Sequence, residues 1–171
     1  MRHEGIHPAV RIGHVHLRVG DLDRALGFYR DALGLGVVAD GREAGIDAVF
    51  LAAGDYHHHV ALNAFESAGG GPPPAGHTGL YHLALLYPDR RELGRALERL
   101  VHCGYPVEHA TDHGATVSVY LSDPDGNGVE LYYDRPRADW FGPGGRPVLK
   151  AERFNYRRLL PAPEAAARPG P

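Results

Sequence analysis

The sequence predicts an α+β fold in which one structural unit is written twice. Three observations lead there. Two stretches align 68 residues apart, each opened by a histidine. A helical pattern with one apolar face follows each stretch. Short apolar runs of strand length follow each helix.

The first copy begins at Ile12-Gly13-His14-Val15-His16-Leu17-Arg18-Val19-Gly20-Asp21 and the second at Leu80-Tyr81-His82-Leu83-Ala84-Leu85-Leu86-Tyr87-Pro88-Asp89. In both, alternation predicts a strand, and an aspartate stands seven residues after the histidine. Asp21 and Asp89 suit helix N-caps, and Gly34 and Gly104 suit helix stops. Leu22, Ala25, Leu26, Tyr29 and Leu33 form one helix face. Leu93, Ala96, Leu97, Leu100 and Val101 form the other. Helices are therefore expected over 22–33 and 90–103. Strands are expected at 48–52 and 59–65 in the first half, and at 116–121 and 128–133 in the second. Val60-Ala61-Leu62-Asn63 aligns with Val129-Glu130-Leu131-Tyr132, now 69 residues apart. Each half thus reads as strand, helix, then two or three strands. The modules span about 10–66 and 79–135, joined by a Gly/Pro-rich linker at 67–78. Residues 1–9 read as a tail, 136–160 as an arm packed on the body or on a partner, and 161–171 as a disordered Pro/Ala-rich tail.

Composition narrows the function. The chain has 171 residues, 43% of them hydrophobic and 23% charged, which is ordinary for one globular domain. No apolar run reaches the roughly 18 residues of a membrane helix. With a net charge of −3 and 18 scattered Lys and Arg, no basic stripe points to nucleic acid. No apolar signal core follows Met1, and a single cysteine, Cys103, rules out an internal disulfide. These features point to a cytoplasmic protein. Cys103, at a helix end, is expected to be buried packing. The chain carries 12 histidines, an unusual number.

Three side chains stand out. His14 and His82 occupy equivalent places in the repeat, and Glu130 lies on the last strand of the second copy. If that strand pairs beside the one carrying His82, two imidazoles and one carboxylate can bind a divalent metal and leave its other positions open. The place equivalent to Glu130 is Ala61, which cannot ligate. An open His/His/Glu set suits non-haem Fe(II), and Mn(II), Zn(II), Ni(II) or Co(II) are alternatives. His16, two residues from His14, shares its strand face and can replace it or line the pocket. Taken singly, a strand histidine is more often an ordinary core or surface residue. His3, His7, His77, His102 and His109 are read as surface residues.

The residues resemble the vicinal oxygen chelate superfamily of glyoxalase I, extradiol dioxygenases and the fosfomycin and bleomycin resistance proteins. The signatures are Gly13-His14-Val15-His16-Leu17-Arg18-Val19 leading to Phe28-Tyr29-Arg30-Asp31-Ala32-Leu33-Gly34, then Tyr81-His82-Leu83-Ala84-Leu85, then Asp123-Pro124-Asp125-Gly126-Asn127-Gly128-Val129-Glu130-Leu131. The resemblance covers about residues 10–135. It implies two βαβββ modules forming a curved mixed sheet around a metal site, and it implies a homodimer, to which the otherwise unexplained arm also points. Within the superfamily the likeness is nearer to catechol 2,3-dioxygenase-type extradiol enzymes. It implies His14, His82 and Glu130 as metal ligands, His58 as acid/base and Tyr120 as active-site tyrosine. His113 resembles a supporting histidine, although its spacing to Tyr120 is two residues shorter than in some relatives. Glyoxalase I places a fourth ligand where this chain has Ala61. Plain alternation disagrees over the histidine triplet, putting His57 and His59 on the face of Ala61.

Ring cleavage needs a catecholate and O₂ brought together, a base for the catechol proton and an acid for the product. An imidazole at His58 suits the proton work, Tyr120 can hydrogen-bond the substrate, and Phe50 and Phe65 can supply apolar walls. The expected function is an Fe(II) extradiol-type dioxygenase acting on a small catechol-like aromatic and O₂, without a membrane or nucleic-acid partner. The alternatives are a metal-dependent glyoxalase-like isomerase, epimerase or thiol transferase, and a protein that sequesters an aromatic antibiotic.

Overall fold

The structure is a computed structural model that describes residues 5–162. Of the expected tails, residues 1–4 and 163–171 lie outside the described residues. The chain divides into two compact units, Met1–Pro73 and Pro74–Pro171.

The first unit runs β1 (Val15–Arg18), α1 (Leu22–Leu26), β2 (Gly36–Asp40), β3 (Ala48–Ala52) and β4 (Val60–Asn63). Its sheet has the order β1-β4-β3-β2. β1 runs parallel to β4, and the other neighbours are antiparallel. Asp21 caps α1 by accepting a hydrogen bond from the Arg24 N–H at 2.7 Å. The expected helix over 22–33 is only partly α-helical. From Gly27 to Ala32 it winds as a π-helix, with the Leu33 N–H bonded to the Phe28 carbonyl. This wider winding brings Phe28 and Tyr29, adjacent in sequence, both into the core, where their rings meet edge to face at 4.9 Å. The helical face packs with Leu17, Val49, Leu51, Val60 and Leu62, all buried.

The second unit runs β5 (Leu83–Tyr87), α2 (Arg90–His102), β6 (His109–Asp112), β7 (Thr116–Ser122), β8 (Gly128–Asp134) and β9 (Glu152–Arg153). Its sheet has the order β5-β8-β7-β6-β9, with β5 parallel to β8 and the remaining neighbours antiparallel. Asp89 caps α2 through the Glu92 N–H at 2.9 Å, and Gly104 ends it at φ 81°. Leu93, Ala96, Leu97 and Leu100 are fully buried. Val101, expected on that face, is instead 45% exposed. Cys103, expected to be buried, is exposed, because the last turn of α2 and its C-cap stand in solvent.

Each unit is a sheet with one helical layer, and the pairing repeats residue for residue. Val15 stands opposite Val60 in the first unit, and Leu83 opposite Val129 in the second. β2, β6 and β9 are short strands to which the sequence pattern assigned no element. The expected strand over 59–65 is shorter, ending at Asn63, so Phe65 stands on the following turn, 58% exposed.

The arm folds back onto the second unit. β9 pairs with β6, the Trp140 indole donates to the Arg135 carbonyl at 2.7 Å, and Leu159 is buried against α2 at Gly94, where any side chain would strike the Leu159 carbonyl. One ground for expecting a homodimer, an otherwise unexplained arm, is thereby answered within the chain. No helix among the described residues is long and apolar enough to cross a membrane.

Candidate functional site

In the second unit, one row of side chains crosses the sheet. Ala84 on β5 stands opposite Glu130 on β8, Glu130 opposite Tyr120 on β7, and Tyr120 opposite His109 on β6. Directly opposed residues project from the same face. His82 lies two residues before Ala84, at the entrance to β5. Its Nε2 is 2.9 Å from Glu130 Oε2. The Tyr120 hydroxyl donates to Glu130 Oε1 at 2.9 Å, and the hydroxyl oxygen of Tyr120 lies 2.9 Å from His113 Nε2. Burial first, and then the bond to Glu130, push the Tyr120 phenol up to about 12, so it stays protonated at neutral pH. His113 Nδ1 donates to the main-chain carbonyl of Lys150 at 3.1 Å.

The approach of His82 to β8 depends on Gly128. A Cβ there would collide with the Tyr81 carbonyl and crowd the His82 Cβ at 3.1 Å. A cavity of about 200 Å³ opens beside this row, lined by Tyr81, His82, Glu108, His109, Tyr120 and Ser122 among others. Roughly 150 Å³ is enough to hold benzene. His109 is exposed, as expected of it, and its imidazole stacks on Tyr120 at 4.5 Å and 12°, so this surface histidine also lines the site. The run His109-Ala110-Thr111-Asp112 is too short and polar to announce a strand, so no sequence signal placed His109 there.

The first unit carries the matching row without the carboxylate. His16 on β1 stands opposite Ala61 on β4, and Ala61 opposite Phe50 on β3. The His14 ring lies 4.3 Å from that of His58, which meets Phe50 edge to face at 5.2 Å. His16 Nε2 is 2.8 Å from Asn63 Nδ2, which fixes its ring. His58 Nδ1 also lies 2.8 Å from His57 Nδ1. Desolvation, followed by the neighbouring His14, His57 and His16, pulls the His58 pKa below the ordinary imidazole value. Strand alternation does not extend to His57 and His59. β4 begins only at Val60, the triplet lies on the irregular turn before it, and it is His58 that packs on His14 and Phe50. His59 instead packs its ring on Tyr56.

The chemistry of the donor set fits a metal. Two donor atoms each about 2.1 Å from one ion, at right angles, lie about 3 Å apart. His82 Nε2 and Glu130 Oε2, 2.9 Å apart, have that separation. Among the described residues, no group of three or more His, Cys, Asp or Glu side chains is already gathered as a metal would need. His82 and Glu130 belong to the second unit and His14 to the first.

Residues 11–131 match the glyoxalase/bleomycin resistance protein/dioxygenase superfamily. The chain belongs to this superfamily. Superfamily relatives include a catechol-2,3-dioxygenase of Bacillus subtilis, 41% identical over 140 residues, which are 79% of this chain and 45% of that protein. A biphenyl-2,3-diol 1,2-dioxygenase of Rhodococcus globerulus is 32% identical over 92% of this chain and 88% of its own length. The chain therefore spans under half of the first relative and most of the second. The superfamily's glyoxalase side is also near. The crystal structure of a lactoylglutathione lyase from Agrobacterium tumefaciens superposes with a TM-score of 0.56 at 29% identity, over 74% of this chain and 96% of that one.

Proposed function

We propose that this protein is a metal-dependent, extradiol-type dioxygenase that opens the ring of a small catechol-like aromatic. The observation that carries the reading is the His82–Glu130–Tyr120 row, in which one carboxylate meets an imidazole nitrogen on one oxygen and a phenol on the other. The 41% identity to a catechol-2,3-dioxygenase supports the reaction class.

His82 and Glu130 would hold the metal, and His14 is the third ligand that the repeat proposes, a set that would suit Fe(II). The chemistry a divalent ion supplies there is the joint binding of a catecholate and O₂. The chain's own residues do the rest. His58, with its lowered proton affinity, takes a catechol proton and returns it to the product. Tyr120 keeps its proton, which it donates to Glu130 or His113, and its hydroxyl oxygen is left to accept a hydrogen bond from a substrate hydroxyl. His16 and Phe50 form the wall beside His58. Phe65, exposed beyond β4, takes no part in that wall. Ala61 leaves the first unit without the carboxylate of a glyoxalase-type set, which weighs against an isomerase despite the lyase neighbour.

The test is anaerobic loading of the full chain with Fe(II), followed by catechol and a pulse of O₂. Stoichiometric O₂ uptake with a yellow ring-opened product is expected. Activity on a hemithioacetal without O₂ consumption would replace the proposal with the isomerase reading.

A further inference from the structure

Resting on that reading, we propose that the C-terminal arm is a positioning element of the site, acting through the main-chain carbonyl of Lys150 on His113. A carbonyl oxygen only accepts, so the 3.1 Å contact places the imidazole hydrogen on His113 Nδ1. That leaves Nε2 with its lone pair facing the Tyr120 hydroxyl at 2.9 Å. The phenol hydrogen then has two acceptors to choose between, His113 Nε2 and Glu130 Oε1, each 2.9 Å from the hydroxyl oxygen. When Glu130 is committed to a metal, His113 keeps the hydroxyl aimed. Without the Lys150 carbonyl, the imidazole can flip or change tautomer, and Tyr120 loses its second anchor.

The arm is built to hold that carbonyl in place. The Lys150 ammonium reaches Asp112 Oδ1 at 3.4 Å and Glu152 Oε2 at 3.2 Å. Asp112 immediately precedes His113, so one tether joins the arm to the turn that carries the imidazole. Asp112 also pairs with Arg135 and accepts from the Gly114 N–H at 2.8 Å. β9 continues the hold by pairing Glu152 with Asp112 and Arg153 with Thr111. Gly114, at φ 85°, has no side chain, and any Cβ would strike Val148 of the arm. The arm, the Asp112–Ala115 turn and the imidazole therefore form one braced unit.

The test uses the metal-free full chain with ring-¹⁵N histidine and carbonyl-¹³C lysine, the His113 signals being assigned by their loss in His113→Gln. The expected result is the Nδ1–H form of His113 with a through-bond coupling to the Lys150 carbonyl carbon. In Lys150→Met the Nδ1–H should exchange with solvent about tenfold faster, and in the iron-loaded enzyme kcat should fall about tenfold with KM within about twofold. Lys150→Arg should restore both. An Nε2–H form without coupling, or unchanged exchange in Lys150→Met, overturns the brace. A coupled, protected Nδ1–H in a chain that cleaves no catechol sustains the brace and removes the proposed reaction.

Discussion

Phe50 and Tyr120 hold the same place in two copies of one sheet. Phe50 stands opposite Ala61, and Tyr120 stands opposite Glu130. In one copy the pair is apolar. In the other it is a phenol bonded to a carboxylate at 2.9 Å. The two sheets thus share one pairing, which carries a phenol–carboxylate pair in the second unit and an apolar pair flanked by His16 and His58 in the first.

If Glu130 and His82 are metal ligands, Glu130→Ala and His82→Ala should each lower bound Fe(II) from about one per chain to near zero in anaerobically purified protein, since an open three-ligand set has no ligand to spare. Elemental analysis reads this directly. Full occupancy in either variant would remove both residues from the set.

Tyr120→Phe deletes only the hydroxyl shared by Glu130 and His113. Ring cleavage should slow by about tenfold to a hundredfold, with metal content unchanged. Wild-type kcat in this variant would leave Tyr120 a packing residue.

Gly128→Ala should loosen metal binding without touching a ligand, because the new methyl crowds the His82 Cβ and the Tyr81 carbonyl. Overpacking of this kind costs about 1–3 kcal/mol, and a displaced ligand costs about tenfold or more in affinity. Calorimetric titration and a thermal melt would separate the two effects.

Leu97→Ala should destabilise the second unit by about 2–5 kcal/mol, since Leu97 is fully buried on α2. Denaturant unfolding measures it, and a loss below about 1 kcal/mol would contradict the packing described.

Asp112 should contribute acid-sensitive stability. Its burial raises its pKa, but the Gly114 N–H, Arg135 and Lys150 outweigh that and hold it below the ordinary carboxylate value. The carboxylate therefore binds its proton less readily in the folded chain than in the unfolded one. Its contribution is present above the unfolded value of about 4 and is lost as pH falls through the lower folded value. Wild type and Asp112→Asn should differ in stability at pH 7 and converge in acid. A constant gap down to pH about 2 would exclude this linkage.

Local signals in the chain carried far. Asp21 and Asp89 cap their helices, Gly34 follows the π-helical end of the first and Gly104 ends the second at positive φ, and the buried helix faces follow the apolar spacing except at Val101. Such features depend on a few neighbouring residues, so sequence order is enough to write them. The repeat also aligned the strands of the two copies, and the pairing observed in one recurs in the other, Leu83–Val129 matching Val15–Val60. That β5 lies beside β8, with Ala84 opposite Glu130, stood in the sequence only as a condition, and the fold met it.

Tertiary structure alone decided the rest. Whether His57, His58 or His59 meets His14 depends on where β4 begins, and alternation loses its meaning in the irregular turn before Val60. His109 entered the site only when β6, polar and short, paired with β7. The Lys150 carbonyl reaches His113 across 37 positions of chain, through a main-chain group that every residue possesses and no sequence pattern can mark. Contacts between distant segments are set by the net free energy of burying and hydrogen-bonding whole surfaces. The sequence of either partner alone does not contain that balance.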